Sequence, residues 1–359
     1  MTVPRPHIAS MAPYSLARLA PPDGVPLISL SQNESLRPPS PKAVEAAAAV
    51  LGNGMLYPDP DWSELREVLG QQHGVNPNGI LCGNGSLDLI GCIARVFSGP
   101  GRSVLAPAHA YPFFRSAAQM SGARFDIAPE RGTTVSIDTL LNGVAPDTGV
   151  VFLANPGNPT GTRIPQAELR RLRDNLRHDI LLVVDEAYGE FADPLNETNF
   201  DMVQEGNTVV LRTFSKAYGM AGFRVGWGLF PERIAAELRK VMNPNNISAA
   251  AQAAAVAAVL DHDYMRETCR ITAALRDDAA TALTKAGFSL TDSFTNFLLI
   301  DMGDPESAQQ ADEAMRDKGI FLRPQGGAGL PHMLRMTVGA KHDNETAISS
   351  LIKWKTETR

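Results

Sequence analysis

The chain has 359 residues, of which 44% are hydrophobic and 20% charged, and its formal net charge is −6. That composition suits a globular protein long enough for two domains, and the acidic balance excludes a basic field for nucleic acid or anionic membrane. No run of about 18 apolar residues is present to span a bilayer, and Cys82, Cys92 and Cys269 have neither metal-ligand spacing nor the even count of a disulfide framework. A reducing cytoplasm is the expected compartment.

Residues 1–30 are proline-rich and irregular and read as an N-terminal arm. Ser40-Pro41 opens a helix through the alanine-rich stretch 42–51, with proline at the tolerated first position. Asp61 and Glu64 predict a capping box for a second helix over 62–73. Short apolar runs at Gly79–Cys82, Ser103–Ala106, Val150–Ala154, Ile180–Val184 and Thr208–Leu211 then alternate with helical stretches at 86–97, 112–121 and 165–177. Near-continuous apolar strands separated by helices predict an α/β fold, a mostly parallel sheet covered on both faces. Beyond 245, helices over 248–260 and 264–286 and strands near 296–301 and 333–338 predict a smaller α+β domain. The expected division is an arm at 1–30, a large domain at 31–244 and a small domain at 245–359 with a contribution from the N-terminal segment. Asn243-Pro244-Asn245-Asn246 marks the break.

Polar motifs come directly after the strand candidates. Gly83-Asn84-Gly85-Ser86 follows the first, Asn155-Pro156-Gly157-Asn158-Pro159-Thr160-Gly161 the third and Asp185-Glu186-Ala187-Tyr188 the fourth. Thr213-Phe214-Ser215-Lys216, with Arg224 eight positions on, follows the fifth. Ligands of open α/β sheets bind beyond the carboxyl ends of the strands, so the four segments converge on one edge. Lys216 among small, hydroxylated and glycine residues has the setting of a Schiff-base lysine, partly desolvated so that its amine is neutral often enough to attack an aldehyde. Thr213, Ser215 and Arg224 can hold a phosphate beside it, and the helix opening at Gly85-Ser86 offers free backbone N–H groups for the same anion. This combination points to pyridoxal phosphate. Asp185 ends a buried strand and needs a partner. It either pairs with a cation or caps the next helix, or it holds the protonated pyridine nitrogen. Asn158 and Tyr188 can bond the ring's phenolic oxygen, or serve as a turn residue and a core tyrosine. Tyr111 or His109, after the second strand, can stack on the ring. Arg323 and Arg335 flank the glycine loop Gly326-Gly327-Ala328-Gly329 and are either anion ligands or surface charges.

As a set these residues resemble the class I/II aminotransferases of fold-type I that use pyridoxal 5'-phosphate, from about residue 30 onward. The likeness is greatest to the histidinol-phosphate aminotransferase branch. It is carried by Leu30-Ser31-Gln32-Asn33-Glu34, Tyr57-Pro58-Asp59-Pro60 with Ser63-Glu64-Leu65-Arg66, Asn158-Pro159-Thr160-Gly161, Asp185-Glu186-Ala187-Tyr188, Ser215-Lys216 through Arg224, and Leu334-Arg335-Met336-Thr337-Val338-Gly339. The resemblance implies that Lys216 carries the cofactor as an internal aldimine and then shuttles a proton. It implies that Asp185 holds the pyridinium, that Asn158 and Tyr188 contact the phenolic oxygen, and that Tyr111 stacks on the ring. Ser86, Thr213, Ser215 and Arg224 would bind the phosphate, with Gly85 and Leu87 beside them. Tyr57 would reach the phosphate of a neighbouring subunit, which makes a homodimer with shared sites part of the expectation. Arg335 would bind the substrate's anionic group, with Arg323 and Tyr14 assisting when it is a phosphate, and Asn33 lies in the same substrate region. Ser86-Leu87-Asp88 departs from the alanine and two acidic residues that are common there.

The activity this implies is ping-pong transfer of an amino group from histidinol phosphate to 2-oxoglutarate. Two other enzymes remain open: an aminotransferase for aromatic or other amino acids, and a decarboxylase of the threonine-phosphate type. A regulator using the fold as a sensor would need an added N-terminal DNA-binding module, for which the arm is too short, and the chain is acidic.

Overall fold

The structure is a computed structural model that describes residues 2–13, 19–192 and 198–358. Among the described residues, thirteen strands form three sheets: β1 (Ile28–Ser29), β2 (Ile80–Gly83), β3 (Ser103–Pro107), β4 (Arg124–Ala128), β5 (Thr148–Ala154), β6 (Leu181–Asp185), β7 (Thr208–Thr213), β8 (Gly226–Leu229), β9 (Ser289–Leu290), β10 (Phe297–Asp301), β11 (Ile320–Phe321), β12 (Arg323–Gln325) and β13 (Leu330–Thr337).

The main sheet has seven strands in the order β2-β8-β7-β6-β5-β3-β4. Strands β3 to β7 run parallel, and β8 runs antiparallel to both β7 and β2. Six strands therefore finish at one edge, at Gly83, Pro107, Ala128, Ala154, Asp185 and Thr213, while β8 begins there at Gly226 opposite Gly83 and Thr213. The two glycines of Gly226-Trp227-Gly228-Leu229 hide this strand from a reading of apolar patterning. Each is required by close approach. A Cβ on Gly226 would fall 2.3 Å from the backbone nitrogen of Ser86, and one on Gly228 would fall 2.6 Å from Leu211.

Helices cover both faces. Ser86–Phe97 buries Leu89, Ile90 and Ile93 against the sheet, and Pro112–Ser121 buries Phe113 and Phe114. The strand interiors, among them Leu81, Val104, Val151, Val183 and Val210, are fully buried. A second core gathers Leu298, Ile300, Leu334, Met336, Ala347 and Leu351 around β10, β13 and the helix Lys341–Glu357. The four-stranded sheet there has the order β12-β13-β10-β9, and β1 near the N-terminus pairs with β11. The alanine-rich helix Ala249–Leu260 packs against the helices Pro41–Val50 and Ser63–His73, and Ala251, Ala254 and Ala255 belong to the larger core.

The helix start at Ser40 is as expected, since the Ser40 side chain accepts from the Lys42 amide at 3.2 Å. The capping box from Asp61 and Glu64 does not form. Asp59 takes the capping work instead, accepting from the amides of Asp61 at 2.9 Å and Ser63 at 2.7 Å. Trp62 precedes the helix in the left-handed region with φ 52°, which turns Asp61 out to Arg66 and Arg239.

Candidate active site

A cavity of about 350 Å³ opens at the strand-end edge, between the main sheet and the segment Arg323–Arg335. Lys216, Asp185, Tyr188, Asn158, Tyr111, Gly85, Ser86, Leu87, Thr213, Ser215, Arg224, Asn33, Arg323 and Arg335 all line it. Tyr57 does not, and with 88% of its surface exposed it points away from this chain. Tyr14 lies outside the described residues.

Lys216 follows the tight exit of β7. Its Nζ donates to the carbonyls of Asn33 at 2.9 Å and Gln32 at 3.3 Å. Desolvation, then the nearby positive charge of Arg335, holds its ammonium down at about 8, well below the ordinary lysine value. More of the amine is therefore neutral near neutral pH than for an ordinary lysine. Asp185, the last residue of β6, is buried and accepts from the Ala187 amide at 3.1 Å. Burial pushes its carboxyl up to about 7, so its charge is poised to settle beside an incoming cation. The next residue faces away from the cavity: Glu186 pairs with the buried Arg212 at 2.6 Å, and Arg212 also meets Glu190 at 3.2 Å. A carboxylate on each side of one strand thus has a separate setting, because successive side chains alternate.

At one end of the cavity, hydrogen-bond donors converge. Gly85, with φ 81°, leads into the helix Ser86–Phe97, whose first N–H groups have no helical acceptor. A Cβ at Gly85 would come 2.6 Å from Nη2 of Arg224, so the guanidinium lies against that helix start. Arg224 is itself left-handed, with φ 58°, and its Nη1 donates to the Ala221 carbonyl at 2.9 Å and to Ser215 Oγ at 3.4 Å. The Thr213 hydroxyl donates to Ser215 Oγ at 3.1 Å. Backbone N–H groups at a helix start, two hydroxyls and an arginine form a set suited to a phosphate dianion.

At the other end, Arg323 and Arg335 are directly paired across β12 and β13. Cross-strand partners share a face, and here both line the cavity. Arg335 donates to Asn158 Oδ1 at 2.6 Å and to the Ser31 carbonyl at 2.8 Å. Asn33 donates to the Tyr188 hydroxyl at 2.8 Å and Asn158 approaches the same hydroxyl at 3.5 Å. Between the two ends, Tyr111 faces the cavity. His109 does not line it: its amide donates to Glu130 at 2.8 Å and its ring reaches the Ala328 carbonyl at 2.8 Å.

Gln325, Glu34 and Ala187 also line the cavity. Glu34 and Ala187 sit inside motifs already quoted for the resemblance. Gln325 belongs to no motif, and only the pairing of β12 with β13 could have found it, through its place two residues after Arg323.

Three comparisons bear on this arrangement. The family model described as "Aminotransferase class I and II" matches residues 25–351. The histidinol-phosphate aminotransferase of Paramagnetospirillum magneticum is 40% identical over 359 residues, covering 97% of each chain. That of Hyphomonas neptunium is 37% identical over 352 residues, covering 97% of this chain and 96% of its own. Among solved structures, the histidinol-phosphate aminotransferase of Sinorhizobium meliloti in complex with pyridoxal-5'-phosphate superposes with a TM-score of 0.90. It is 29% identical and covers 99% of this chain and 98% of its own. The chain belongs to the class I and II aminotransferases.

Proposed function

We propose that this enzyme is a pyridoxal-phosphate-dependent histidinol-phosphate aminotransferase with 2-oxoglutarate as amino acceptor, working by a ping-pong cycle. The observation that carries the reading is a desolvated lysine set between two anion-binding ends of one cavity. One end suits a cofactor phosphate, and the other suits the phosphate or carboxylate of a substrate. The named relatives support the donor.

When bound, pyridoxal phosphate supplies an aldehyde for the amine and a ring that withdraws electrons from the substrate carbon. The residues divide the remaining work. Ser86, Thr213, Ser215 and Arg224, with Gly85 and Leu87 at the helix start, hold the phosphate. Asp185 would hold a proton at the ring nitrogen, and Asn158 and Tyr188 would orient the phenolic oxygen. Tyr111, which lines the cavity, would offer its face to the ring. Lys216 Nζ would hold the cofactor's aldehyde carbon and supply the base that moves a proton at the substrate carbon. Arg335, Arg323, Asn33 and Tyr14 orient the substrate and bind its anionic group.

The active unit in this reading is a homodimer with shared sites, in which Tyr57 reaches the partner's phosphate cup. Support comes from a run of exposed apolar side chains beside it: Leu51 at 67%, Met55 at 81% and Leu56 at 66%. Such a contiguous patch is characteristic of an interface. The division into an arm at 1–30, a large domain at 31–244 and a small domain at 245–359 goes with it, supported by the two separate cores. The helix Ala249–Leu260 shares the larger core, which favours a boundary after it. A cytoplasmic location fits three unpaired cysteines.

The test is a half-reaction. Histidinol phosphate alone should convert the cofactor's absorbance to that of the amine form, and 2-oxoglutarate should reverse it. Conversion only by an aromatic or other amino acid, or release of carbon dioxide from a phosphorylated amino acid, would overturn the donor.

A further inference from the structure

His109 is not needed by the mechanism above, yet it makes a contact between the two sides of the cavity. It lies on the loop after β3, two residues before Tyr111. Its ring crosses to the glycine loop after β12, where Nδ1 meets the Ala328 carbonyl at 2.8 Å. A carbonyl oxygen only accepts, so Nδ1 carries the proton and donates. From the other side, Glu130 accepts from the His109 amide at 2.8 Å. That fixes the backbone from which the ring reaches out. The second oxygen of Glu130 is buried without a partner, and burial raises the carboxyl above its usual range. The His109 amide is thus the one hydrogen-bond donor to this carboxyl among the described residues.

The loop on the receiving side closes on itself, with the Gly329 amide donating to the Gly326 carbonyl at 3.0 Å and Gln325 paired with Leu330, and among the described residues the bond from His109 is its one hydrogen bond across the cavity. A Cβ at Gly326 or Gly327 would meet nothing within 4 Å, and Gly329 adopts φ 76°. Immediately before this loop stand Arg323 and Gln325, both lining the cavity. Gln325 folds back on its own strand, its side chain donating to the Arg323 carbonyl at 2.8 Å. A turn that is closed by its own hydrogen bond but tied across the cavity at one carbonyl can shift against the far rim, and the strand leading into it shifts with it.

We propose that His109 is a positioning residue: it latches the Gly326–Gly329 loop to the rim beside Tyr111 and so sets the distance between the ring-facing side and the Arg323 end that binds the donor's anionic group. The use of the latch for the donor rests on the reading above, whereas the latch itself does not.

Two measurements on the full-length holoenzyme separate the two. The first is hydrogen exchange over residues 326–330 in the wild type, His109→Ala and His109→Asn. Loss of a single partly buried hydrogen bond corresponds to about a tenfold faster exchange in His109→Ala. Asparagine keeps a donor and should recover most of the protection. Equal exchange in the wild type and His109→Ala overturns the latch. The second is the ratio of kcat/KM for histidinol phosphate to that for histidinol, which lacks the phosphate. His109→Ala should lower this ratio by about tenfold through KM, with kcat and cofactor affinity within about twofold of wild type, and His109→Asn should restore it. An unchanged ratio, or an equal fall for both donors together with cofactor affinity, overturns the positioning role. A wild type that does not turn over histidinol phosphate defeats the functional reading instead, and the exchange result still decides the latch.

Discussion

The two ends of the cavity are built on different plans. The cup around Arg224 uses backbone at strand ends and short side chains, and steric limits hold it. Gly85 and Gly226 have no room for a Cβ, and Arg224 occupies a conformation non-glycine residues rarely adopt. The Arg335 end draws on Ser31 to Asn33, Asn158 and β12–β13, segments distant in sequence and joined by hydrogen bonds. One end is fixed by excluded volume and the other by polar contacts that can be exchanged. Such a division suits an enzyme that keeps one cofactor and admits two substrates in turn.

Substitutions can break this comparison. Removing the shared centre should have the largest effect: Lys216→Ala should lower single-turnover conversion by about 10⁴-fold, at the upper end of what a positioned acid–base group contributes. Residual conversion near the wild-type rate would dismiss the lysine. Next come the two ends. Arg224→Ala should weaken cofactor binding by ten- to a hundredfold, the worth of about 1.5–3 kcal/mol in charged hydrogen bonds. The donor's KM should then be normal at saturating cofactor. Arg335→Ala should do the reverse, raising the donor's KM and sparing cofactor affinity, both read by titration of absorbance. If either variant moved both quantities equally, the two ends would not be independent. Gly85→Ala should cost about 1 kcal/mol or more in stability from its positive φ alone and should loosen the cofactor by displacing Arg224, measured by thermal melting with and without cofactor.

Dependence on pH gives the smallest and sharpest effects. Cofactor capture by Lys216 should accelerate as pH rises through about 8, where the folded-state amine loses its proton, and not near the ordinary lysine value. In the cofactor-free protein, folded Asp185 keeps its proton up to about 7 while the unfolded carboxyl has lost it. Its contribution to stability is therefore present at low pH and is lost as pH rises toward 7. Lys216 acts in the opposite direction above neutrality. Its folded form binds fewer protons than the unfolded form, so stability recovers as pH rises from about 8 toward the ordinary lysine value. Denaturant titrations of Asp185→Asn and the wild type across this range should differ in slope only below about 7.

Much of the cup was legible before the fold was known, because its parts are local. A run such as Leu181 to Val184 announces a buried strand, and the polar residue that ends it must face the edge where parallel strands finish. Asp185, Asn158, Lys216 and Gly85 could thus be brought together from order alone. From patterning alone the donor end was legible as an inventory of arginines, to which the resemblance added Asn33 and Tyr14. Nothing in the spacing of Arg323 and Arg335 shows that they are cross-strand partners, since an antiparallel register depends on the turn and bulge between them. Gln325 is invisible for the same reason.

Determined by the sequence itself were the α/β class, the order of strand-end motifs and the place of Lys216 among them, each set by patterning over a few residues. The tertiary structure decided the rest. It turned β8 antiparallel so that Arg224 enters the cup, and gave the helix cap to Asp59 in place of Asp61. It set Tyr111 at the cavity while His109 crossed to Ala328, and it left Tyr57 exposed on the outer surface. These outcomes depend on which distant backbone atom lies within about 3 Å of a given side chain, and that distance exists only once the sheets have packed.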